Sequence, residues 1–160
     1  MKDYSDKKIN FSNLNLQRII TFLETIQKAQ LPAVNYIAKK FQDAFIGFDD
    51  VLTFLVSVKI VKVENSQLNI NRKISLDKKD LADFILRNLF ENSFYRDSEL
   101  ETFLKYFSLK NGEYWFVRDQ KVRLKTSGVR NFLIDLGFLI YDKETNSYLI
   151  SHTGFENIDW

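Results

Sequence analysis

A basic stretch stands out in a chain whose formal net charge is only +2. Between positions 110 and 130 the sequence holds six basic residues against two acidic ones, Glu113 and Asp119. Arginine and asparagine are the side chains that read guanine and adenine edges, and Arg130 stands directly before Asn131. The stretch therefore predicts a surface that contacts DNA. The alternative interpretation is a solvated charged loop over an aromatic strand.

The basic side chains around that pair have the chemistry of phosphate contacts, which hold a protein on a duplex without reading its sequence. Affinity from such contacts falls steeply as the salt concentration rises. Double-stranded DNA is therefore the predicted partner. The predicted DNA-binding residues are Arg118, Lys121, Arg123, Lys125, Ser127, Arg130, Asn131 and Lys143.

The residue types argue against catalysis and metal binding. The chain has no cysteine, which excludes disulfides and thiol catalysis, and its one histidine is His152. The carboxylates of Asp49 and Asp50 fit the capping of a helix N-terminus better than a metal or acid–base site. The five glycines are isolated and form no phosphate loop. We expect no enzyme, no catalytic residue, no cofactor, no metal and no small-molecule substrate.

The two ends of the sequence differ in character. Phe155, Ile158 and Trp160 are large and apolar, so we expect them either to fold back on the body or to bind a protein partner. The first ten residues are polar and include three lysines, and they are interpreted as a disordered end rather than a basic arm.

Length and composition fit one domain or two small ones, because 160 residues with 45% apolar side chains can bury a core. No apolar run approaches the length of a membrane-spanning helix, and residues 1–8 have no apolar core of a secretory signal. The lack of cysteine fits a reducing compartment. We therefore expect a cytoplasmic protein without a membrane partner.

Two segments repeat the same order of elements. Residues 51–56 share their apolar pattern with residues 129–134, which lie 78 positions later. Each segment is followed by an apolar run of the β type, a polar turn and a second short apolar run. The repeat predicts a helix followed by a β-hairpin in each half of the chain.

The later of these helices is expected to begin near Ser127, with Thr126 or Ser127 as N-cap, and to stop at Gly137. Its spacing places Val129, Phe132, Leu133 and Leu136 inward, and Ser127, Gly128, Arg130, Asn131 and Asp135 outward.

The earlier helix begins with Asp49 and Asp50, which would repel phosphates, and continues with side chains that are apolar nearly all round. Such a helix is typical of packing on more than one side, so we do not expect it to read DNA.

Two further helices are predicted upstream in each half. Ser12 is the candidate N-cap of the first one and Asp77 the candidate N-cap of its counterpart. The second helix starts near Pro32 in the first half, and in the second half at a capping box over residues 98–101. The connector to the third helix covers residues 42–48 in the first half and 108–126 in the second, where residues 113–117 predict an added strand.

Three helices followed by a hairpin, twice over, resemble the winged-helix variant of the helix-turn-helix proteins. The resemblance implies a mostly helical α+β fold of two winged-helix modules packed on each other, with DNA bound mainly by the second module within a larger assembly. The expected boundaries are a tail at 1–11, modules at 12–75 and 76–151, and a tail at 152–160.

A tandem winged-helix chain of near-neutral charge also resembles the kleisin-interacting tandem winged-helix elements, which are small subunits of SMC-type ATPase complexes. Similar subunits occur in anti-phage systems. This second resemblance implies a protein–protein adaptor whose partner is an SMC-like ATPase or a kleisin.

Overall fold

The described residues are mostly helical and form two small antiparallel sheets, which confirms the expected α+β class. The computed structural model describes residues 9–29, 33–42, 47–71, 73–91, 99–100, 102–103, 120–144 and 147–150. The elements are, in chain order, a 3-10 helix (Phe11–Asn13), α1 (Leu16–Lys28), α2 (Val34–Gln42), α3 (Phe48–Ser57), β1 (Val61–Glu64), β2 (Gln67–Ile70), α4 (Lys78–Glu91), α5 (Gln120–Lys125), α6 (Ser127–Asp135), β3 (Leu139–Asp142) and β4 (Ser147–Ile150).

The sequence repeat reappears in the geometry of the chain. Helices α3 and α6 end in the same αL turn, with Lys59 at φ 64° and Gly137 at φ 80°. The next residue donates its N–H back to the preceding turn in both, from Ile60 to Leu55 at 2.9 Å and from Phe138 to Leu133 at 2.9 Å. This 6→1 bond satisfies a carbonyl at the helix end and turns the chain into the hairpin. The predicted helix–hairpin unit is therefore present twice.

Each hairpin is a regular antiparallel pair, β1 with β2 and β3 with β4. The first hairpin also contacts the helices, because Ala33 forms a bridge with Gln67 and Val34 donates its N–H to the Ser66 carbonyl at 2.9 Å. Its turn therefore lies against the start of α2.

The helix starts confirm one predicted cap and correct another. The Asp77 carboxylate accepts N–H groups of Lys79 and Asp80 at the start of α4, as predicted. The predicted Ser12 cap of α1 is wrong, because Asn15 occupies the N-cap and its side-chain oxygen accepts the Arg18 N–H at 2.8 Å. Pro32 and the capping box at 98–101 fall on residues that are not all described.

One apolar core joins the two repeats. The Phe11 ring lies 6.3 Å from Phe54 of α3 and 6.2 Å from Phe132 of α6, and those two rings are 5.2 Å apart in an edge-to-face arrangement. Phe54 and Phe132 occupy equivalent positions of the sequence repeat. The third helices of the two halves therefore pack on each other through equivalent residues.

The N-terminal boundary of the core differs from the sequence prediction. Ile9 and Phe11 are buried, so the chain belongs to the core from residue 9, within the segment assigned to a tail. Spacing could not reveal this, because a single turn of 3-10 helix contains no repeat of apolar residues. Among the described helices, none combines the length and the apolar character that crossing a membrane requires.

Candidate nucleic-acid interface

Part of the predicted basic stretch forms a helix. Helix α5 covers Gln120–Lys125, contains three basic residues and no acidic one, and buries none of its side chains. The side chains of Lys121, Arg123 and Lys125 are exposed, and so is that of Leu124, at 68%. Sequence analysis did not predict this helix. The available signal was a six-residue run without glycine or proline in which every residue except Val122 is a good helix former.

Arg130 does not face solvent, and this part of the prediction is wrong. Only 6% of Arg130 is exposed. Its guanidinium donates from Nη1 to the Tyr148 hydroxyl and from Nη2 to the Arg123 carbonyl, and Cζ lies 5.2 Å from the Tyr148 ring centroid. Its Nε is buried without a hydrogen-bond partner. Arg130 is therefore not placed to read a base edge.

The repeat itself contained the signal for that burial. Arg130 is equivalent to Leu52 of α3, which is completely buried. Helical spacing identified only the stripe formed by Val129, Phe132, Leu133 and Leu136, all buried as predicted. The side next to the stripe is covered as well, because the chain before α6 and strand β4 both contact Arg130.

The buried arginine links the basic helix to the second hairpin. The Arg123 carbonyl belongs to the last turn of α5, where unpaired carbonyls carry partial negative charge that a cation stabilises. Tyr148 belongs to β4. Arg130 therefore fixes α5 against the hairpin whose turn contains the exposed Lys143.

The N-terminus of α6 is enclosed by other parts of the chain. The Glu99 carboxylate accepts the Val129 N–H at 2.8 Å. A Cβ added at Gly128 would lie 2.8 Å from Glu99 Oε1 and 2.9 Å from the Ser12 backbone nitrogen. Gly128 is buried, so its predicted outward position is wrong. The carboxylate and the close approach leave little room for a phosphate at this helix end.

Thr126 and Asp135 lie at the two ends of α6. Thr126 occupies the N-cap position but makes no capping bond, because its hydroxyl donates to the Val122 carbonyl at 2.8 Å. Asp135 is exposed as predicted, yet its carboxylate accepts the Leu16 N–H at the start of α1. The last turn of α6 is therefore joined to the first half of the chain.

The predicted DNA-binding residues separate into four groups. Lys121, Arg123, Lys125, Asn131 and Lys143 are exposed, and Ser127 is half-buried. Arg130 is buried. Arg118 lies outside the described residues, as do the predicted partner-binding residues Phe155, Ile158 and Trp160. What the structure brings together is a basic helix, the exposed side of α6 and the second hairpin.

The acidic start of α3 has a role that sequence analysis missed. Gly47 is the N-cap of α3, with φ 98° and no side-chain capping bond. The Asp50 carboxylate instead accepts the Asn10 N–H at 2.9 Å and the Asn13 side-chain amide at 2.8 Å. It thereby holds the N-terminal segment against α3. No local sequence pattern predicts this contact, because its partners are 37 and 40 residues apart in the chain.

Within the described ranges, no group of three or more histidine, cysteine, aspartate or glutamate side chains is arranged to hold a metal ion. Comparison with known proteins gives no match to a family model, to a curated protein or to a solved structure.

Proposed function

We propose that this chain is a non-enzymatic tandem winged-helix protein that binds DNA through its second module within a larger assembly. The helix–hairpin unit present in both halves supports the architecture. The first hairpin also contacts the helices through the Ala33–Gln67 bridge, as a wing does.

The observation that carries DNA binding is the composition and exposure of α5. Its three basic side chains are exposed, and α5 itself contains no acidic residue. Lys143 in the turn of the second hairpin stands between Asp142 and Glu144, so the cationic surface is α5. Since phosphate contacts do not depend on base identity, such a surface binds any duplex. The burial of Arg130 removes the predicted guanine contact, so the proposal is now sequence-independent binding.

Fluorescence anisotropy with a random-sequence duplex tests this proposal. Three phosphate contacts give a salt slope near −2.7, so the affinity should fall about 40-fold between roughly 50 and 200 mM salt. The triple variant Lys121→Ala, Arg123→Ala, Lys125→Ala should lose most of this binding and most of the slope.

The matched control is the variant Lys78→Ala, Lys79→Ala. It removes two exposed lysines at the start of α4, beside Asp77 and Asp80, and should bind as the wild type does. Absence of duplex binding by the wild type at low salt, or equal binding by the triple variant and the control, would contradict the proposal.

A second candidate function, the adaptor, is supported by the second hairpin. Ile140 is 49% exposed and pairs with the half-buried Leu149, so this hairpin presents an apolar cross-strand pair at its surface. The equivalent pair in the first hairpin is Lys62 and Asn69. An exposed apolar pair of this kind supports a protein contact at the second hairpin.

The adaptor predicts that the tagged chain co-purifies with an SMC-like ATPase or a kleisin in a fixed stoichiometry. Ile140→Lys should release that partner, whereas Lys62→Ala at the equivalent position should retain it. Retention of the same partner by Ile140→Lys would contradict the adaptor.

A further inference from the structure

Helix α2 presents a basic and aromatic face in the first half of the chain. Its inward side chains, Ile37 and Phe41, are buried, and on the other side Tyr36, Lys39 and Lys40 are exposed. Tyr36 is 47% exposed, and the Lys40 Nζ lies 4.9 Å from its ring centroid. This surface was not among the residues that the sequence singled out for DNA binding.

Helix α2 has a net positive charge. Helix α2 contains two lysines, both in its last turn, and no acidic residue. Among the described residues, no carboxylate forms an ion pair with Lys39 or Lys40. Lys62 pairs with Glu64 and Arg87 pairs with Asp83, whereas α2, like α5, contains no acidic residue. Judged from the described residues, the α2 face therefore has the charge to bind an anion.

Helices α2 and α5 both lie before a third helix, α5 within the segment 108–126 that the sequence marks as a connector. Each is the described helix that directly precedes a third helix, and each carries two basic residues in its last turn: Lys39 and Lys40 in α2, Arg123 and Lys125 in α5. The third helices meet through the equivalent Phe54 and Phe132. The two basic helices are therefore held on one core.

We infer that the α2 face formed by Tyr36, Lys39 and Lys40 is a second surface for the DNA backbone. This inference rests on the proposed function and gives the first half of the chain a part in it. Lysine side chains pair with phosphates as mobile point charges, and a tyrosine hydroxyl donates to phosphate oxygens. Two such surfaces on one body raise the affinity for a long duplex, because binding of the second becomes intramolecular.

The test compares salt slopes for duplex binding by the wild type and the variant Lys39→Ala, Lys40→Ala. With these two contacts added to the three of α5, the wild-type slope should be about −4.5, steeper than the value of about −2.7 expected from α5 alone. Their loss should reduce the slope by about 1.8 and weaken binding at least tenfold at roughly 50 mM salt. The charge-conserving variant Lys39→Arg, Lys40→Arg should keep the slope. Because these side chains are exposed, thermal melting should report the same fold in all three proteins.

The control variant Lys78→Ala, Lys79→Ala removes the same charge from α4, so it separates a local contact from a change in net charge. If the α2 variant binds as this control does while the α5 triple variant is weakened, the α2 inference is refuted and the proposed function stands. The α2 face would then suit an acidic protein instead. If neither variant differs from the control, the proposed function fails, and the inference fails with it.

Discussion

The contact between Phe54 and Phe132 predicts that the two halves of the chain unfold as one unit. Both rings are essentially inaccessible to solvent, and they meet edge to face at 5.2 Å and 85°. Replacing either buried phenylalanine with alanine should cost about 3–5 kcal/mol, a large share of the ~5–15 kcal/mol that stabilises a typical domain. The milder change to leucine keeps most of the volume and removes the ring contact.

A double-mutant cycle isolates the contact between the halves. Phe54→Leu and Phe132→Leu should show a coupling free energy of about 0.5–1.5 kcal/mol, the range for aromatic pairs. The measurement is urea unfolding followed by circular dichroism and by fluorescence, with a single coincident transition expected from both signals.

The control cycle pairs Phe132→Leu with Phe41→Leu. Phe41 is equally buried, and its ring contacts include Phe22 and Phe48 of the first half. Its effect should add to that of Phe132→Leu within about 0.3–0.5 kcal/mol. Two separate unfolding transitions, or a coupling for Phe54 and Phe132 no larger than in this control cycle, would refute the packing of the two third helices.

Three further changes test the local geometry. Arg130→Met leaves the Tyr148 hydroxyl and a backbone carbonyl without their donor, so it should destabilise the fold by about 1–3 kcal/mol; unaltered melting would show that the buried link contributes nothing. Gly137→Ala should lower the free energy of unfolding by about 1 kcal/mol. The cause is the positive φ of residue 137 and not a steric clash, because no atom lies within 4 Å of the added Cβ. Lys59→Gly at the equivalent turn should instead stabilise by up to about 1 kcal/mol; thermal melting that shows the opposite signs would contradict the paired αL turns.

Helical spacing predicted the parts of the fold that depend on one element at a time. The stripe of α6 is buried as expected, and the helix leads into an αL turn at Gly137. These features follow from local periodicity and from the conformational freedom of glycine.

Features that depend on two distant elements could not be predicted in this way. Arg130 is buried because α5 and β4 close over a side of α6 that spacing marks as exposed. Asn15 replaces Ser12 as the cap of α1 because residues 11–13 turn into a 3-10 helix that packs on α3 and α6. The exposure of Lys121 and Lys125 agrees with the prediction for the candidate site. The exposure of Arg130 does not, because its burial depends on contacts with other elements.

The bond between Leu16 and Asp135 has a consequence for synthesis of the protein. Its two partners are 119 residues apart in the chain. At roughly 5–20 residues per second, a ribosome needs about 6–24 s to make the second partner after the first. During that interval Phe11 and Phe54 have no Phe132 to cover them, so the nascent first half presents apolar rings to the cell. The core can therefore close only after α6 has been synthesised, so we expect the nascent first half to be prone to aggregation until then.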